Sequence, residues 1–163
     1  MSSASSKGCS LWLSSLLVSM VSLWGSAARA DDAGPPCRIV SSQQVSAIMG
    51  SPMEMESAVV SRENNTATCR FKSERNFAAI RTSRLASDAA AMSAYRETLE
   101  VLSRGASRTE PLHGVGTESR LVLKLSTTIV ARFGVHIVVV STEGDRSAVV
   151  GLARAVGAKV IAQ

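Results

Sequence analysis

Residues 120–142 constrain the fold most. They hold three β-forming stretches, 120–125, 127–133 and 135–142, separated by connections of one residue each. Parallel strands need crossovers of a dozen or more residues, so stretches this closely spaced can pair only as antiparallel neighbours. The third carries the unbroken apolar run Ile137, Val138, Val139, Val140, the pattern of a central strand covered in part on both faces.

Further upstream, residues 66–72 alternate, with Cys69 and Phe71 on one face and Arg70 and Lys72 on the other. That is a half-buried strand. After the polar turn 73–76, residues 77–85 read as its antiparallel partner. Residues 57–60 could form an edge strand before the turn Glu63-Asn64-Asn65.

Three helices frame these strands. Ser41 followed by Gln44 makes a capping box, Val40 can staple onto Val45, and Gly50-Ser51-Pro52 stops the helix. A second helix runs from a cap at Ser87 or Asp88 to about Arg104, with Met92, Tyr95, Leu99 and Leu102 as its stripe. The third spans 146–161, striped by Val149, Leu152, Ala153, Val156 and Val160. Gly151 and Gly157 inside it each cost about 1 kcal/mol relative to Ala, so they mark close packing. Residues 106–117, with Pro111, Gly114 and Gly116, read as a connecting loop. The expectation is a single α+β domain in the order α-β-β-α-β-β-β-α. It has a mainly antiparallel sheet of about five strands, with helices on one face.

Residues 1–30 read as a cleaved secretory signal: Lys7, an apolar run 11–24, and Ala28-Arg29-Ala30 before Asp31-Asp32. The run is too short and too rich in serine to span a bilayer, so no stable membrane anchor is expected after cleavage. Residues 31–36 read as a loose proline-rich leader. Removing the signal takes Lys7 and Arg29 from the 18 basic residues, leaving 16 against 13 acidic ones, a net charge of +3. Both tryptophans leave as well. A mildly basic chain with four aromatic residues is no nucleic-acid binder.

Two of the three cysteines remain, Cys37 and Cys69. In an oxidising compartment, periplasmic or extracellular, they are expected to pair. Closing residues 37–69 into a loop would stabilise the fold by about 3.5 to 4 kcal/mol on the chain-entropy account. Free buried thiols are the alternative.

Pro36-Cys37, Ser42-Gln43-Gln44-Val45 running into Gly50, the strand-borne second Cys, Gly114-Val115-Gly116 and an alanine-rich last helix together resemble a broad family of small bacterial cell-envelope proteins. Many of its members are lipoproteins, and the family's own function is unknown. The resemblance implies the Cys37–Cys69 pair and an α+β fold, and it supplies no catalytic residues. Two departures are Thr117, where the family often has an acidic residue, and the absence of a lipidated Cys.

Chemistry-bearing residues are few. His136 lies in the apolar strand and reads as structural, whereas His113 sits in the glycine-rich loop without an acidic orienting partner or a G-x-S-x-G elbow. Gly114 and Gly116 lack the Gly, Lys and Ser/Thr that complete a phosphate loop. No metal or cofactor site is expected. Arg62, Arg70, Lys72, Arg75, Arg81 and Arg84 face only Glu63 and Glu74 over the same stretch. The five from Arg70 to Arg84 are the partner-binding candidates, forming either a ridge for an anionic partner or a solvated face that protects the sheet. The reading is a non-enzymatic exported binding domain of the envelope, recognising a protein or an anionic envelope component. The alternatives are a periplasmic inhibitor or immunity protein of an envelope hydrolase, and a structural envelope protein.

Overall fold

The structure is a computed structural model, and it describes residues 35–162. The signal segment and residues 31–34 of the leader lie outside the described residues. One seven-stranded antiparallel sheet forms the body, in the order β1-β2-β3-β7-β6-β5-β4. Its strands are β1 Glu54–Ser61, β2 Thr66–Lys72, β3 Phe77–Arg84, β4 Arg108–Pro111, β5 Glu118–Leu123, β6 Thr127–Phe133 and β7 His136–Thr142. The helices are α1 Pro35–Ile39, α2 Ser42–Met49, α3 Asp88–Ser103 and α4 Arg146–Val160.

Two meanders, β1 to β3 and β4 to β7, meet where β3 pairs with β7, from Ala78 opposite Thr142 to Arg84 opposite His136. β7 is therefore interior to the sheet, as its apolar run requires.

Three expectations need correction. The sheet has seven strands instead of about five, because residues 54–61 form a full edge strand and residues 108–111, read as loop, form the opposite edge. Pro35 and Pro36, read as loose leader, open α1, where proline's fixed φ and missing N–H suit the first helical turn. The helices also cover both faces of the sheet. On one face α1, α2 and α4 enclose Val45, Cys69, Phe71, Ile80, Val138, Val140, Val149 and Leu152. On the other, α3 lays Ala91 and Tyr95 over Val130 and Ile137. β6 shows why: all six residues from Thr128 to Phe133 are buried, so alternate side chains feed two separate cores.

The capping box forms as its residues specify, with the Gln44 N–H donating to Ser41 Oγ and the Ser41 N–H to Gln44 Oε1, both at 3.2 Å. Gly50 then ends α2 in the left-handed region at φ 67°. The two helical glycines sit at close contacts. A Cβ on Gly151 would lie 3.0 Å from Ile48 of α2, and one on Gly157 would enter the Phe133 ring.

Candidate functional site

Cys37 and Cys69 are joined by a disulfide with a Cα separation of 5.6 Å, both side chains buried. It fastens α1 to β2. At the far end of the chain, Lys159 Nζ of α4 donates to Ile39 O at 2.6 Å and to Gln44 Oε1 at 3.3 Å. The N-terminal helices are thus clamped from sheet and helix alike.

The basic candidates divide. Arg70 and Lys72 are exposed on β2, on the face that α3 covers elsewhere, and both reach Glu56, at 3.7 and 3.2 Å. Arg81 lies opposite Thr68, so it projects from the same face one strand away. It has no carboxylate partner among the described residues. Arg75 stands exposed in the β2–β3 turn, at the margin. Arg84 falls three residues beyond Arg81, and strand alternation carries it to the opposite face beside His136. The ridge is therefore Arg70, Lys72 and Arg81.

What surrounds these three decides their character. The half of the face under α3 is apolar, built on Val130 and Ile137. The half left open mixes polar and apolar side chains: Thr66 and Ser83 share a hydrogen bond at 3.0 Å and Thr68 lies opposite Arg81, while Val59, Phe77 and Ala79 occupy the same face. It is a mixed surface on which three cations stand. Its ion pairs to Glu56 are half-exposed, so they hold the cations only weakly, by about 0 to 1 kcal/mol each.

His113, Gly114 and Gly116 lie in the β4–β5 connection. His113 is exposed. Gly114 and Gly116 adopt φ of 75° and 66°, and a Cβ on Gly116 would collide with the Arg132 carbonyl. The Thr117 N–H donates to that same carbonyl at 2.8 Å, and Arg154 Nε donates to Gly114 O at 3.2 Å. These glycines let the loop close on β6. Beside them runs an open groove lined by Gly116, Phe133, His136, Val160 and Ile161, among others. Burial first, and the Arg84 charge second, hold the His136 imidazole below its ordinary pKa. Neither histidine meets a carboxylate among the described residues, and no group of three or more His, Cys, Asp or Glu that could hold a metal occurs there.

The sequence reading missed two ionic clusters. Arg132, its side chain 6% exposed, reaches from β6 to Asp88 at the start of α3 and to Glu118 at 3.5 Å. Glu110 of β4 receives Arg108 at 2.7 Å and Arg146 of α4 at 3.0 Å. The available signal was Arg132 itself, since a cation within a strand buried on both faces requires carboxylates nearby.

The chain is an α+β domain built on one antiparallel sheet with helices on both faces. No family model matches it, and no curated protein does. Among solved structures its fold is similar to the extracellular domain of PknH from Mycobacterium tuberculosis. The TM-score is 0.54, at 9% identity over 76% of this chain and 93% of that chain. At that identity the likeness is one of fold.

Proposed function

We propose that this is an exported, non-enzymatic binding domain of the bacterial envelope whose open half-sheet holds an anionic component, carboxylate- or phosphate-bearing. One observation carries the reading: Arg70, Lys72 and Arg81 project from the same open part of a face whose other part is covered by α3. A rigid sheet presents the three cations without the ordering cost a loop would incur, and guanidinium groups pair bidentately with such anions. Export is supported by the leader of Lys7, the apolar run and Ala28-Arg29-Ala30, by the Cys37–Cys69 disulfide, and by the extracellular setting of the PknH domain that shares the fold.

The test is capture from periplasmic extract on the immobilised mature chain, with Arg70→Glu/Arg81→Glu beside it. Anionic components retained by the natural chain should be lost from the variant and eluted by salt. Equal retention by both would remove the platform from the function.

A further inference from the structure

The two free edges of the sheet are built differently. β4 is four residues long, includes Pro111 and carries the Arg108–Glu110 ion pair, devices that discourage another strand from adding. β1 has eight residues with no Pro, Gly or Lys, and its only irregularity is the bulge between Met55 and Ser57. Val59 and Val60, 64% and 41% exposed, project from it to opposite faces. An edge whose exposed middle, Ala58 to Val60, is apolar on both faces, and whose outer backbone groups no strand pairs, is a template for strand addition.

We infer that β1 pairs antiparallel with β1 of a second copy of this chain, about a two-fold axis through Val59 perpendicular to the sheet. The sequence Ser57-Ala58-Val59-Val60-Ser61 is self-complementary in that register. Val59 meets its own counterpart, Ala58 meets Val60 of the partner subunit, and Ser57 meets Ser61 of the partner subunit. Moving the axis to Ala58 would set Val60 against Glu56, and moving it to Val60 would set Val59 against Ser61. Only the Val59 register sets apolar against apolar and serine against serine. The axis also keeps both Arg70–Arg81 platforms on one side of a continuous sheet, though the pairing itself does not depend on what those platforms bind.

The mature chain should show a concentration-dependent monomer–dimer equilibrium by sedimentation velocity up to about 100 μM. Val59→Lys, at an exposed site, should raise the dissociation constant at least about tenfold while leaving far-UV circular dichroism unchanged. Under mild oxidation Val59→Cys should crosslink two chains, because directly opposed Cβ atoms lie within disulfide reach, whereas Val60→Cys should not. A chain that stays monomeric throughout would overturn the inference and leave β1 to a strand of another protein. A dimer untouched by Val59→Lys, or one that crosslinks through Val60→Cys but not Val59→Cys, would overturn it equally.

Discussion

Arg132 sets up an inverted expectation, in which neutralising its exposed partners costs more than removing the buried charge itself. The guanidinium is 6% exposed, whereas Asp88 and Glu118 are 62% and 42% exposed. In Arg132→Met the desolvated cation is gone, its volume is largely kept, and both carboxylates return to water. The loss is that of hydrogen bonds partly offset by relief of desolvation, about 1 kcal/mol. In Asp88→Asn/Glu118→Gln the shapes survive but a buried cation loses both counter-charges. Stranding a buried charge costs about 3 to 5 kcal/mol, reduced to about 2 to 4 here because the amide in place of the Asp88 carboxylate still accepts a hydrogen bond. A further few tenths come from the lost acidic residue in the first turn of α3, which Asp88→Asn alone measures. Urea unfolding of the oxidised mature protein, with unchanged m-values, gives the comparison. An Arg132→Met variant as unstable as the carboxylate pair would refute the reasoning, because it would mean that the ion pairs outweigh the desolvation of the arginine.

Three further outcomes follow from the same structure. Replacing Cys37 and Cys69 together by Ala should cost about 2 to 4 kcal/mol and lower Tm by about 10 °C, read by calorimetry; an unchanged Tm would deny the disulfide its role. Gly157→Ala gains about 1 kcal/mol in helix propensity, but its Cβ would lie 2.9 Å from Phe133 Cε2 and nearer still to Cζ, so overpacking of about 1 to 3 kcal/mol should win. Adding Phe133→Leu should recover part of that loss in a double-mutant cycle. The folded-state pKa of His136 is depressed below 6.5, so the unfolded chain binds its proton more readily and stability should decline as pH falls from about 6.5 through the folded value. His136→Gln should flatten that slope, and Arg84→Ala should move the imidazole titration upward by NMR.

Periodicity revealed those elements that bury one clear face. β2 and β6 have the bounds their alternation and spacing predict, and α2 has its capping box and Val45 inward. Of β1 only 57–60 was legible, because an edge strand with a bulge exposes both faces and loses its alternation, and β4 was missed because Arg-Thr-Glu-Pro has neither period nor β-branched bulk beyond one threonine. The side of the sheet that α3 occupies was hidden for a different reason. Met92, Tyr95, Leu99 and Leu102 declare a stripe without declaring its target. That target shows only in the burial of Val130 and Ile137 on the face opposite Ile129 and Val138. Among the basic candidates, alternation alone grouped Arg70 with Lys72, and pairing register was needed to add Arg81 and release Arg84.

The seam between β3 and β7 also shapes how the chain reaches its fold. β3 closes its first meander by residue 84, yet its sheet partner lies more than fifty residues later, next to the last helix. A chain emerging from its N-terminus therefore holds β3 open as a raw edge until β7 arrives. Such non-local closure makes folding slow, in the millisecond-to-second range typical of β-rich domains. A chain cut before His136 would keep that edge permanently, with Ile80 left uncovered beside it. The second meander is thus the element that ends the molecule's exposure to aggregation, and β7, its last strand, is the one that seals it.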